Sequence, residues 1–220
     1  MTGVERMAVR SQPGNWVAKV QRFVRPREVA AEDTCNLCAA PLAANHPHLV
    51  EPAKHRLLCV CRSCATLLGN RDDDRYREVP DEVRRLEDFR MTDAEWDTFA
   101  IPIGLAFFVH STPESRIIAF YPGPAGPTES LLDLHAWTQL VARNPILAEL
   151  EPDIEALLVN RMKDVREYYL APIDRCYALV GLIRTMWRGL SGGEEVGVAI
   201  NGFFAGLRAP RARNGTCCHG

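Results

Sequence analysis

The residues best able to do chemistry in this sequence are its cysteines. Five of the eight fall between positions 35 and 64, in the runs Cys35-Asn-Leu-Cys38 and Cys59-Val-Cys61-Arg-Ser-Cys64. Two C-x-x-C pairs, Cys35 with Cys38 and Cys61 with Cys64, are separated by twenty-two residues, a spacing typical of structural four-cysteine metal sites. A tight turn presents two thiolates about one tetrahedral edge apart. Two such turns, brought together by a hairpin, place four soft ligands around one ion. The ion then supplies folding free energy that so short a segment cannot draw from its own core. Cys35, Cys38, Cys61 and Cys64 are therefore the expected ligands. Zinc is the expected ion, and iron in the same sulfur tetrahedron is the alternative.

Other residues near the pairs have competing readings. Cys59 lies two positions before Cys61, so an extended backbone over 57–61 would point both side chains the same way. That would make Cys59 a substitute ligand or a neighbour of the site, but the simpler reading is a small buried apolar residue. Iron sites of the rubredoxin type favour glycine just after each pair, and this chain has Ala39 and Ala65 there. His46-Pro-His48 and His55 lie between the pairs. Nucleases of the HNH type also carry histidines inside a zinc-stapled treble clef, which would make His46 or His48 a general base. Those sites place a further histidine near the second pair, where this chain has Ala65-Thr66, so hydrogen-bonding or surface histidines are expected instead. Cys217-Cys218-His219 falls in a polar tail, and adjacent cysteines are strained against sharing one tetrahedral ion.

Composition narrows the classes. The chain has 220 residues, 47% hydrophobic and 25% charged, the range of an ordinary globular protein. A net charge of −2 gives no bulk signature of a nucleic-acid binder. No apolar run approaches the eighteen or so residues of a membrane span. The first residues, Met1-Thr-Gly-Val-Glu-Arg-Met7, lack the apolar stretch of a secretion signal. Clustered rather than dispersed cysteines also favour a reducing compartment, so a cytoplasmic location is expected.

The elements that must position the site follow from periodicity. Residues 1–32 read as a basic flexible arm, in which residues 1–30 carry Arg6, Arg10, Lys19, Arg22, Arg25 and Arg27 against Glu5 and Glu28, with helical spacing from Trp16 to Val24. Residues 33–69 form the four-cysteine module and 70–100 a helical connector, with helix starts at Val79-Pro-Asp-Glu82 and Thr92-Asp-Ala-Glu95. The latter has capping-box spacing. Residues 101–208 read as an α+β domain. Its strands are expected at 101–109, 116–121, 154–159 and 168–171. Its helices are expected to begin near Ser130, Pro172 and Ser191. Pro122–Pro127 reads as a stiff turn that ends the second strand. Glu129, Asp133 and Asp174 read as carboxylates at helix starts, Cys176 as core, and Arg161 with Glu129 as a weak candidate pocket. Ser191-Gly192-Gly193 could hold an anion on a helix start. Residues 209–220 read as a flexible tail. The fold class expected is α+β: a small zinc-ribbon or treble-clef-like module followed by a mostly antiparallel sheet, with helices segregated to one face. No nucleophile elbow, phosphate loop or Ser-His-Asp pattern is present.

Five segments together resemble a known family. They are the cysteine run 35–64, Ile101-Pro-Ile-Gly-Leu-Ala-Phe-Phe108, Tyr121-Pro-Gly-Pro-Ala-Gly-Pro-Thr-Glu-Ser130, Glu155-Ala-Leu-Leu-Val-Asn-Arg161, and the run from Pro172 to Arg184. The family is an uncharacterised actinobacterial one, encoded near high-affinity actinobacterial-type NiFe hydrogenases, and the resemblance covers about residues 33–208. It implies a context of hydrogenase assembly, metal handling or electron supply. Its partners would be proteins, hydrogenase subunits or maturation factors, with no nucleic acid. Only the four paired cysteines carry over as ligands. The expected function is that of a non-enzymatic zinc-binding accessory protein. The alternatives are a rubredoxin-like electron carrier and, less well supported, an HNH-like nuclease.

Overall fold

A computed structural model describes residues 34–69, 75–130, 134–187 and 193–208, which all lie in one compact unit, Glu32–Gly220. The basic arm, Asp133, Ser191-Gly192 and the Cys217-Cys218-His219 tail lie outside the described residues. The class is α+β, built on two antiparallel sheets. A three-stranded sheet runs β2-β1-β3, from β1 (His48–Glu51), β2 (Arg56–Cys59) and β3 (Arg77–Glu78). Helix α1 (Arg62–Leu68) follows β2 directly.

The larger sheet has six strands in the order β4-β9-β8-β5-β6-β7. These are β4 (Arg84–Arg85), β5 (Leu105–Ser111), β6 (Arg116–Gly123), β7 (Gly126–Ser130), β8 (Glu155–Asn160) and β9 (Glu167–Pro172). Four helices accompany it: α2 (Asp93–Thr98), α3 (Leu134–Arg143), α4 (Ile173–Met186) and α5 (Gly193–Arg208).

These helices cover both faces of the sheet, not one as expected. On one face Leu105, Phe107, Val109, Leu158 and Tyr169 pack with Cys176, Leu179, Val180, Ile200 and Phe204 of α4 and α5. On the other, Ala106, Phe108, Leu157 and Leu170 pack with Trp96 and Phe99 at α2, and with Trp137 and Leu140 of α3. Phe108 stacks on Trp137 at 5.4 Å and meets Phe99 edge-on at 5.1 Å, geometries that aromatic quadrupoles favour. Strands buried on both faces lose the apolar–polar alternation of a half-exposed strand. Leu105-Ala-Phe-Phe-Val109 is such an unbroken run.

Val79-Pro-Asp-Glu82 does not start a helix: residues 77–78 pair with β1, and 84–85 pair with β9. Val79 is buried in the larger core and Val83 packs against it, so sheet pairing and burial override the local capping signal. Within Pro122–Pro127 the chain does turn and end the expected second strand, β6, at Gly123, but the sheet continues beyond it. The turn leads into the extra edge strand β7, with Gly123 opposite Gly126 and Pro122 opposite Pro127. Edge strands tolerate proline, and Gly126 sits at φ 121°, where a side chain would be strained. Ser130 is accordingly not a helix cap. Its hydroxyl donates to the Phe99 carbonyl at 2.8 Å, and the next helix begins at Leu134. Glu129, on the same strand, pairs with Arg116 at 2.8 Å rather than capping a helix.

The capping box at Thr92 forms as expected, with Glu95 N–H donating to the Thr92 hydroxyl and Thr92 N–H to the Glu95 carboxylate. That carboxyl lies below the usual carboxylate range: burial raises it, but the Thr92 hydrogen bonds and the charges of Arg143 and Arg161 prevail.

Arg161 is 6% exposed, and its hydrogen bonds go to residues other than Glu129. Its guanidinium donates to the Met91 carbonyl at 2.9 Å and the Tyr168 hydroxyl at 2.7 Å, pairs with Asp93, and lies 5.6 Å over the Trp96 ring. Just upstream of β5, Gly104 packs so tightly on the Arg161 backbone that a Cβ would stand 2.5 Å from its carbonyl oxygen. Arg161 thus ties the segment before α2 to the sheet. Arg161→Met leaves the Met91 carbonyl and the Tyr168 hydroxyl buried without their donor, and it should lower unfolding stability by about 2–3 kcal/mol. Urea denaturation checks this, and a loss below about 0.5 kcal/mol contradicts the clamp role.

Candidate metal centre

The four paired cysteines come together from two kinds of element. Cys35 and Cys38 sit in a turn closed by Cys35 N–H donating to the Ala40 carbonyl and Ala39 N–H to the Cys35 carbonyl, each at 2.8 Å. Ala39 at φ 60° holds the left-handed conformation that such a turn demands. Cys61 is the residue capping α1, and Cys64 lies in that helix's first turns. Between them runs the β1–β2 hairpin. A cysteine turn, then a hairpin, then a helix whose start carries the second pair is the treble-clef order, one of the two arrangements expected.

The Cys35, Cys38, Cys61 and Cys64 sulfurs lie within 4.8 Å of one another, and Cys38 Sγ is 3.7 Å from Cys61 Sγ. A Zn–S bond of about 2.3 Å makes the edge of a sulfur tetrahedron about 3.8 Å, so this pair already stands at ligand spacing. The electrostatics fit a cation as well. Burial pushes the Cys35 thiol up, but backbone N–H groups of Cys61, Leu37 and Cys38 donate to its sulfur and hold it down at about 6. Burial and the neighbouring Cys38, Cys61 and Cys35 push Cys64 up to about 12. Four adjacent thiols cannot all ionise side by side unless a positive ion offsets their repulsion. The donor set can hold a metal ion, and its chemistry suits zinc or iron equally.

The module's own core is small. Cys35, Leu49, Leu58, Val60, Ala65 and Tyr76 are its buried apolar residues. β1 is shared between cores: Leu49 points into this one, and Val50 into the larger core of the sheet and helices. Arg77 on β3 adds a tie, donating to the Pro152 carbonyl at 2.5 Å and pairing with Glu151 at 3.1 Å.

Cys59 stands apart from the four. The strand ends at Cys59 and the chain turns into α1 at Cys61, so the two side chains do not share a site. Cys59 is half-buried and groups with His46 and His48, whose ligating atoms lie with its sulfur within 4.8 Å. The histidines are not surface residues either, at 9% and 8% exposure. Asp174, expected as a helix-start carboxylate, turns toward His48 at 3.2 Å. Burial pushes the His48 ring down, but the Asp174 hydrogen bond and charge, with the Cys59 thiol, push it further up, to about 9. Cys176 is fully buried in the larger core, as expected. His55 is exposed on the hairpin turn at φ 47°. The one available sequence signal for the second cluster was the His-x-His spacing, which puts both rings on one side of an extended segment.

Residues 34–211 match the DUF5947 family, a family of unknown function. The chain belongs to that family. No curated protein and no solved structure matches it. The DUF5947 match begins one residue before Cys35, so it takes in both cysteine pairs and both sheets. Among the described residues no helix is long and apolar enough to cross a membrane.

If the four sulfurs hold one ion, losing a ligand should melt the module first. In Cys38→Ser or Cys61→Ser, amide hydrogen exchange in β1 and β2 should accelerate by at least tenfold while β5 and β8 stay protected. Wild-type protection in β1 and β2 of both variants contradicts the staple.

Proposed function

We propose that this DUF5947 protein is a non-enzymatic accessory protein in which a zinc ion on Cys35, Cys38, Cys61 and Cys64 holds a treble-clef module in shape for contact with a protein partner. The observation that carries the reading is the gathering of four thiols around a module whose core is too small to fix that geometry unaided. A structural ion of this kind supplies folding free energy and fixes a surface without turning over substrate. The similarity of the cysteine run and the later segments to a family encoded beside NiFe hydrogenases supports a hydrogenase subunit or maturation factor as the partner, in the cytoplasm. Iron in the same tetrahedron would instead make the centre an electron carrier.

Elemental analysis with a visible spectrum separates the two ions: zinc leaves the protein colourless, while a ferric four-thiolate centre absorbs visible light. The partner is tested by co-purification with the hydrogenase subunits and maturation factors produced together with the tagged chain. Wild type should retain at least one of them, and Cys38→Ser should lose it by tenfold or more. Equal recovery with the variant, or no retention by wild type, overturns the accessory reading.

A further inference from the structure

We propose that His46, His48 and Cys59 form a second metal site, separate from the four-cysteine centre, that takes a borderline transition-metal ion such as zinc through three protein ligands and leaves one coordination position open. This inference does not rest on the accessory reading.

The placement begins with strand register. His48 and Cys59 are directly opposite partners in the β1–β2 ladder, so their side chains project from the same face of the hairpin. Pro47 is clamped to the next residue of the other strand, its carbonyl accepting from Val60 N–H at 3.0 Å. That contact keeps His46 alongside, its ring centroid 5.0 Å from that of His48. Cys59 is fixed from the other side: its N–H donates to Asn36 Oδ1 at 2.7 Å, and its carbonyl accepts from Asn36 N–H at 2.9 Å. Asn36 lies inside the Cys35–Cys38 turn, so one residue braces both clusters.

Both imidazoles are oriented as metal-ligating histidines usually are. Such a ring donates one N–H to a carbonyl or carboxylate, which fixes its orientation and leaves the other nitrogen for the ion. His46 Nδ1 is 2.8 Å from the Ala43 carbonyl and must donate there. His48 Nδ1 is 3.2 Å from Asp174 Oδ2. Nε2 of each ring is thereby the ligating nitrogen. His48 Nε2 is buried and has no hydrogen-bond partner among the described residues, an unfavourable state that a metal ion would relieve. Ligand atoms around zinc stand about 3.3–3.8 Å apart. The three here lie within 4.8 Å, so shifts on the order of 1 Å, the scale of small χ rotations, would close them on an ion.

A nucleophilic reading of Cys59, His48 and Asp174 fits less well. It gives His46 no task. A cavity of about 280 Å³ adjoins the histidines, lined also by Arg62, Glu78, Asp81 and Asp174. It gives an ion a way in and has room for a water or small anion as fourth ligand, as in zinc sites with three protein ligands.

The test is a zinc count on the full-length, reduced protein, purified with zinc in excess, desalted, and titrated with a competing chelator. Wild type should hold two ions per chain. Cys59→Ser and His48→Gln should hold one each. Cys59→Ser keeps the size of the side chain and decides the matter if the buried His48→Gln fails to fold. Asp174→Asn should hold two, with the weaker ion released at about tenfold to hundredfold lower chelator concentration. One ion in wild type that is lost in Cys38→Ser but kept in Cys59→Ser overturns the second site and leaves the four-cysteine centre standing. One ion lost in Cys59→Ser but kept in Cys38→Ser supports the second site and removes the first.

Discussion

The gathering of four cysteine sulfurs, which would repel one another as thiolates, is the constraint around which the N-terminal part of the described structure is arranged. Cys38 and Cys61 sulfurs at 3.7 Å cannot stand together as thiolates unless a cation lies between them. That approach brings together the cysteine turn before the hairpin and the start of α1 after it. The backbone is already arranged for it: N–H groups of Leu37, Cys38 and Cys61 converge on the Cys35 sulfur, so part of the negative charge is offset before an ion arrives. A metal ion held by these four sulfurs would be a fold-determining element, whatever further task the module performs.

From that centre, order passes outward through a few connections. Asn36 brackets the backbone of Cys59. β1 carries Leu49 into the small core and Val50 into the large one. The His48–Asp174 contact joins the hairpin to the first turn of α4, whose other side lies in the main core. The thiol centre and the histidine cluster therefore flank one hairpin. Farther away, Arg161 and Asn144 do comparable work for the connecting segment. Asn144 accepts from Arg90 N–H at 2.8 Å and donates to the Arg90 and Leu140 carbonyls, which also ends α3 just before Pro145.

The legible parts of the sequence were those governed by local chemistry. The two C-x-x-C turns, Cys35-Asn-Leu-Cys38 and Cys61-Arg-Ser-Cys64, the Thr92–Glu95 capping box and the helix from Ile173 are each set by residues within a few positions of each other. The β5–β6 hairpin was legible for the same reason. What escaped was long-range. Nothing near Val79 indicates that residues 77–78 will pair with β1. Prolines at 122, 124 and 127 conceal a strand that only an edge position permits. Helices on both faces of the sheet were signalled by unbroken apolar runs in β5 and β8, yet such runs fit a one-sided sheet if alternation is not required of them. The grouping of Cys59 with His46 and His48 needed the hairpin register, and Asp174 needed the docking of α4. Neither is encoded at a fixed sequence spacing.

The central claim is that Cys35, Cys38, Cys61 and Cys64 hold one ion between them. X-ray absorption at the metal edge of the Cys59→Ser protein tests it most directly, because that variant removes a sulfur ligand from the histidine cluster and leaves the four-thiol centre intact. A single shell of four sulfur atoms at about 2.3 Å is the predicted result. A shell with nitrogen or oxygen ligands in place of sulfur, or a protein that carries no metal, would contradict the account.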